Sequence, residues 1–356
     1  ASFVLKRSFT GQFKQAGVAS ALSIFKNLMS QSSGAYWVFI VHTGERTLVG
    51  ATPERHITLK QGTAVMNPIS GTYRYPPEGV QLSEIKQFLT DKKEADELYM
   101  VVDEELKTMA QVCDFGGSVK GPMLKEMPRL AHTEYFIRGQ SSLTPIEILK
   151  ATMFAPSVTG SPQESATRVI HQYEPAGRGY YSGVVALIGR ENGQRVLDSS
   201  ILIRTADIDN QGQLTLSVGA TLVRGSDADA EMEETKAKAA GLLAAIGIDP
   251  VEALFKGQVS HSDKLKTAVK VNTRQGFANH PEVLKLLAQR NEGIAKFWLT
   301  ERPNISATNR VLSGKRVLIV DAEDTFTAMI AHQLTALGCE TYVYRFDQAY
   351  SFDQGL

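Results

Sequence analysis

"SGVVALIGRENGQRVLDSSILIRTADIDNQGQLTLSVGATLV", Ser182 to Val223, decides the fold class. Apolar, β-branched runs separated by Gly-containing turns read as three strands, and turns this short join antiparallel neighbours. "YWVFIVHTGERTLVGATPERHITLKQGTAVM", Tyr36 to Met66, repeats the pattern. Helical periodicity appears at Glu84–Val112, Thr144–Met153, Ser161–Tyr173 and Ala228–Ile246. Residues 1–248 therefore read as one large α+β domain, antiparallel sheets with helices around them, whose N-terminus is incomplete.

The next stretch, 249–313, is polar and helix-prone in pieces, notably "PEVLKLLAQRNEGIAKFWL", and reads as a helical linker suited to crossing between two copies in a homodimer. From 314 to 356, "KRVLIVDAEDTFTAMIAHQLTALGCETYVYRFD" supplies a strand, an acidic turn, an amphipathic helix ending at Gly338 and a second strand. That is the opening β-α-β of a doubly wound α/β domain. There is no initiator Met, and "DQGL" closes no element, so both ends read as cut from a longer chain.

Lys plus Arg and Asp plus Glu each number 38, so no overall field draws the chain to nucleic acid or an anionic membrane. No apolar run is long enough to span a membrane. Cys113 and Cys339 stand far apart without C-x-x-C spacing, which fits a reducing, cytoplasmic setting and argues against structural zinc.

Chemistry enters with two acidic helical segments. In "SDADAEMEETKAKAAGLL", Ser226 to Leu243, Glu231, Glu234 and Lys238 fall within about 60° of one another on a helix. "DKKEADELYMVVDEELKTMA" repeats the spacing with Glu94 and Glu97. Four carboxylates converging from two helices would repel one another unless a divalent cation neutralised them, and an all-oxygen set suits Mg²⁺. The residues by themselves leave this open against two solvated helix faces carrying glutamates and lysines.

Eight ordered segments carry a resemblance: "GATPER", "PISGTYR", "KEADELYMVVDEEL", "SVTGSPQ", "YYSGVV", "ILIRT", "VGATLV" and "AEMEETKAKA". Together, across almost all of residues 3–246, they resemble the chorismate-utilising enzymes, which include anthranilate, aminodeoxychorismate, isochorismate and salicylate synthases. The resemblance implies that Glu97 and Glu234 ligate Mg²⁺, with Glu94 and Glu231 supporting it through water. It implies that Arg204, Lys238, Tyr181 and the backbone of Gly219, Ala220 and Thr221 receive substrate carboxylate. Glu54 would be the general acid for the departing C4 hydroxyl, and Thr159 falls in a catalytic motif. Asp103 to Glu105 fall to no role and read as solvated or structural.

Departures within the motifs select among family members. Ser70 stands where aminodeoxychorismate synthases carry a nucleophilic Lys, and Ser2 where isochorismate and salicylate synthases carry the Lys that activates water. Against the family's S-H-V-M-H-L-V-S, "RLAHTEYFIRG" puts His132 at the first histidine and Tyr135 at the second, taken as the base that permits pyruvate elimination. A phenol is a poor base at neutral pH. The C-terminal unit resembles the start of a class I glutamine amidotransferase, a source of ammonia. The expected reaction is thus Mg²⁺-dependent amination of chorismate at C2 with loss of the C4 hydroxyl, giving 2-amino-2-desoxyisochorismate as in phenazine biosynthesis. Anthranilate synthesis with another base is the alternative, and a catalytically inactive chorismate-binding subunit is the alternative of another class.

Overall fold

A computed structural model describes residues 2–13, 18–31, 34–76, 78–127, 130–247, 276–301, 311–322 and 325–348. The strands are β1 Ser2–Gln12, β2 Trp37–His42, β3 Arg46–Thr52, β4 Arg55–Lys60, β5 Thr63–Met66, β6 Ile69–Arg74, β7 Ser118–Glu126, β8 Leu130–Gln140, β9 Gly160–Ser161, β10 Val184–Glu191, β11 Gln194–Ile201, β12 Thr205–Asp209, β13 Gln213–Leu222, β14 Arg316–Asp321 and β15 Glu340–Arg345. The helices are α1 Val18–Gln31, α2 Leu82–Thr90, α3 Lys92–Val112, α4 Pro145–Thr152, α5 Pro156–Thr159, α6 Gln163–Tyr173, α7 Ala228–Ile246, α8 Pro281–Gln289 and α9 Phe326–Ala336.

The stretch from Ser182 to Val223 forms four strands where its pattern suggested three, because the second run is broken at Arg204, which has a left-handed φ of 52°. The helix expected over Glu84–Val112 is two. Asp91 adopts an extended backbone, and its side chain accepts the Glu94 N–H at 3.1 Å, so it caps a new helix. Thr144 and Glu147 form the capping box that starts α4.

Two antiparallel sheets result. One runs β2-β3-β12-β13-β1-β9, and the other β10-β11-β4-β5-β8-β6 with β7 beside β8. The α+β class expected from the sequence is what these sheets and helices make. Helices α1 and α7 bury Ala21, Ile24, Leu28, Ala239, Leu242 and Leu243 against the first sheet. Helix α3 buries Leu98, Val102, Leu106 and Met109 against the second, with Ile57, Tyr135 and Ile137.

Two short connections without a helix pass between the sheets, and they lie side by side. β3 of the first leads through Pro53–Glu54 to β4 of the second, and β11 returns through Leu202–Arg204 to β12. Thr52 Oγ1 donates to the Ile201 carbonyl at 2.8 Å, Ile201 N–H to the Glu54 carbonyl at 3.2 Å, and Ala51 N–H to the Arg204 carbonyl at 3.2 Å.

The polar stretch read as a linker is partly described. Its residues 249–275 and 302–310 lie outside the described residues. Within 276–301, Val283 and Leu287 of α8 pack against Phe88 and Leu89 of α2, and Trp298 joins the core beneath α3. Beyond it, β14 and β15 pair in parallel across α9, as the strand-turn-helix-strand pattern required. Met329 of α9 is buried in the same core, and His332 Nε2 meets the Ala110 carbonyl of α3 at 2.8 Å.

Ile137 is fully buried between β8 and α3. Ile137→Ala is expected to cost about 2–5 kcal/mol of stability, read from the midpoint of urea unfolding.

Candidate active site

A cavity of about 150 Å³ opens at the junction of the two sheets. Both inter-sheet connections reach it, with Glu54 from one and Arg204 from the other. Helix α3 brings Glu94 and Glu97, and α7 brings Glu234 and Lys238. Tyr181, Gly219, Thr221 and His132 complete the lining that bears on chemistry.

Glu54 is buried, its Oε1 has no hydrogen-bond partner, and burial pushes its carboxyl up to about 7 against the nearby charges of Arg204, Lys125 and Lys238. It is an acid that still holds its proton near neutrality. Arg204 has no ion pair among the described residues, so its guanidinium is available to an anion. Lys238 donates to the Gly219 carbonyl at 2.9 Å and pairs with Glu234 at 2.5 Å. Burial pushes Glu234 up, but Lys238 outweighs it and leaves the carboxyl below its ordinary value. Gly219 admits the Tyr181 hydroxyl: a Cβ there would collide with it and with Val4.

The four glutamates are not equivalent. Glu94 and Glu97 are raised, Glu97 to about 7, first by burial and then, for Glu97, by the charge of Glu94. Glu94 Oε2 is buried without a partner and lies beside Gly71, where a Cβ would meet it at 2.5 Å; Gly71 has φ of 72°, so glycine suits both the backbone and the approach. Lys93 stands between Glu97 at 3.6 Å and Glu231 at 3.2 Å. Glu231 is buried, also accepts from Ser226 Oγ at 2.7 Å, and does not line the cavity. Among the described residues no group of three or more His, Cys, Asp and Glu side chains is assembled as a metal cage. The donor chemistry nevertheless fits Mg²⁺: an unpartnered carboxylate oxygen, two carboxyls raised by burial, and an ion that takes one or two protein carboxylates while substrate and water supply the rest.

Three further expectations meet the geometry differently. Thr159 Oγ1 donates to the Ala155 carbonyl at 3.0 Å and Ala220 is buried; neither lines the cavity. Tyr135 is 0% exposed in the core under α3, and its hydroxyl donates to Asn291 Oδ1 at 3.0 Å. The catalytic position expected for it is therefore not realised. Successive side chains on a strand alternate, so residues three apart on β8 face opposite ways, and it is His132 that lines the cavity. His132, which stands at the first of the two family histidines, is the one that reaches the cavity.

His132 Nδ1 lies 2.6 Å from the Gly71 carbonyl, which places the proton on Nδ1 and leaves Nε2 bare. Burial, with Arg204, Lys125 and Lys238 nearby, lowers the imidazole to about 4.

Glu105, read as solvated or structural, is buried; desolvation and then the charge of Glu54 raise it well above the carboxylate range, because residues 98, 101, 102, 105 and 109 share the inward face of α3. Ser2 accepts the Ser161 N–H at 3.1 Å, while the Ser70 side chain lies outside the described residues. Lys93 and the true facing of His132 were missed from sequence; the first was legible as an i,i+4 partner of Glu97, the second as strand alternation.

The sequence profile described as "chorismate binding enzyme" matches residues 3–244. The phenazine-specific anthranilate synthases of Pseudomonas chlororaphis and Pseudomonas fluorescens are 54% and 55% identical over 354 residues, 99% of this chain and 52% of theirs. The chain spans about half the length of these curated relatives. Anthranilate synthase component I from Streptococcus pneumoniae TIGR4 superposes with a TM-score of 0.58 at 26% identity, over 68% of this chain and 52% of that one.

Tyr135→Phe is expected to lower stability by about 1–2 kcal/mol, through the lost hydrogen bond to Asn291, and to leave the activity of the site within a few-fold of the parent. Thermal unfolding beside steady-state assay checks both halves.

Glu54 holds its proton up to about pH 7 in the fold against 4.5 for the ordinary carboxyl. The stability tied to that proton is full below pH 4.5 and is lost as pH rises through 7. Urea unfolding across this range should show that decline, and Glu54→Gln should make it shallower, the remainder coming from Glu97, which is raised to about the same value.

Proposed function

As this chain belongs to the chorismate-binding enzyme family, we propose that it aminates chorismate at C2 with loss of the C4 hydroxyl and retention of the enolpyruvyl ether, giving 2-amino-2-desoxyisochorismate. The observation that carries this reading is Glu54: a buried carboxyl protonated near neutrality, in the same cavity as Arg204, which has no ion pair among the described residues.

Arg204 binds a substrate carboxylate, and the Tyr181 hydroxyl with the backbone at Gly219 and Thr221 closes around it. Ammonia forms the bond to C2 as both ring double bonds shift and the C4–O bond breaks. Glu54 gives its proton to the departing hydroxyl, which leaves as water, and the proton lost from the new ammonium restores the overall balance. Glu97 and Glu234 would hold Mg²⁺, with Glu94 and Glu231 behind them, and the ion would neutralise the ring carboxylate among these acids.

Retention of the enolpyruvyl group is supported by the state of His132. General bases work best with pKa near the operating pH, and an imidazole lowered to about 4 has little affinity for the C2 proton. A second reading, anthranilate formation with pyruvate release, is favoured by the presence of that imidazole in the cavity with Nε2 bare.

Ammonia would come from glutamine through an amidotransferase domain of which 314–356 is the opening unit. The parallel β14-α9-β15 arrangement and relatives about twice as long support that reading.

Chorismate, ammonium and Mg²⁺ mixed with the protein are expected to yield an aminated product with the enolpyruvyl mass retained and no pyruvate in a lactate dehydrogenase assay. Glu54→Gln should reduce the rate about 10²- to 10⁴-fold. Stoichiometric pyruvate with anthranilate fluorescence would replace the first reading by the second.

A further inference from the structure

Residues 276–301 lie beyond the stretch that matches the family profile, yet they grip the walls of the cavity from behind. Glu126 of β7 accepts the N–H groups of Phe277 and Ala278 at 3.0 and 3.1 Å, and α8 packs on α2. The chain then turns at Arg290–Gly293, and Arg290 is 6% exposed.

Its guanidinium donates to the Leu89 carbonyl from Nε at 3.1 Å and from Nη2 at 2.8 Å, and to the Phe88 carbonyl at 3.4 Å. These are among the last carbonyls of α2, where a helix runs short of its own donors, although Phe88 also accepts the Asp91 N–H at 3.3 Å, and a cation there meets the negative end of the helix dipole. The Tyr99 hydroxyl of α3 donates back to the Arg290 carbonyl. One residue on, Asn291 Nδ2 donates to the Gly121 carbonyl at 2.7 Å while Oδ1 accepts from Tyr135 of β8. Two consecutive residues thus tie together α2, α3 and the strands beside His132.

The tie ends at a carboxylate. Leu89 and Thr90 lead directly into Asp91, whose side chain caps α3 through the Glu94 N–H, and the Phe88 ring packs at the same Gly71 that Glu94 approaches. A shift of the α2 terminus would carry Glu94 with it. Among the described residues Arg290 has no ion pair, and a buried guanidinium without one is an expensive way to fill space, so packing alone does not account for it.

We infer that Arg290 is a positioning residue of this site, holding Glu94 in place through the α2–α3 junction. The inference rests on the reading of Glu94 as part of a divalent-cation site. Residues that orient the ligands of a metal typically change its affinity by about 10- to 100-fold when removed.

The test is a double-mutant cycle on binding, with Mg²⁺ titrated calorimetrically into the full chain in the presence of chorismate. Arg290→Met is expected to weaken the joint affinity about tenfold, Glu94→Gln by at least as much, and the double variant no more than Glu94→Gln alone, because both act through one carboxylate. Arg290→Lys should recover part of the loss, and it carries the same cycle if Arg290→Met fails to fold. Additive losses, or unchanged affinity in Arg290→Met beside a loss in Glu94→Gln, would overturn the positioning inference and leave the cation reading standing. Unchanged affinity in Glu94→Gln would overturn both.

Discussion

Two strands that change sheets side by side are the constraint on which this site depends. Both connections are short, and they are hydrogen-bonded to each other through Thr52, Ile201, Glu54 and Arg204. Neither can move without the other; Glu54 is buried between them, while Arg204 stays partly exposed in the cavity. Glu54 is buried by this arrangement and keeps its proton; Arg204 is held with a left-handed backbone, an uncommon state for a residue with a Cβ, maintained by strands fixed on both sides. An acid and a cation are brought into one cavity by the same connection geometry that joins the sheets.

Around that junction the charges are arranged in opposition. α7 covers the first sheet and α3 the second, so their acidic faces meet only where the sheets meet. Lys93 and Lys238 each satisfy part of the resulting repulsion, leaving Glu94 and Glu97 the carboxyls held above their ordinary values by burial. A site poised this way favours an added positive charge, and it disfavours a second proton on His132, which burial first and then Arg204, Lys125 and Lys238 push downward.

Helix α3 is also the element through which other parts of the chain reach the cavity. Its cap is set by the end of α2, its middle is held by Tyr99 against Arg290, and its far end receives His332 and Met329 from α9. The core beneath it therefore draws on segments beyond residue 244, and the family-matched region is not a self-contained packing unit.

The sequence by itself determined the elements and most of the chemistry. Period-two runs and Gly turns gave antiparallel strands, spacing of three gave the glutamate pairs on helices, and the ordered motifs named Glu54, Arg204, Lys238 and Tyr181, all of which meet in the cavity. These are local or short-range properties, and a linear pattern carries them. What only the tertiary structure decided is which way side chains face and what surrounds them. Alignment put Tyr135 at a catalytic position, but the pleat of β8 turns it into the core and gives the cavity to His132. Whether Glu105 was solvated or structural was open until the face of α3 was fixed, and a polar stretch that read as linker folds back to grip α2. Burial and electrostatic coupling arise from neighbours distant along the chain, so those properties appear only when the sheets are joined.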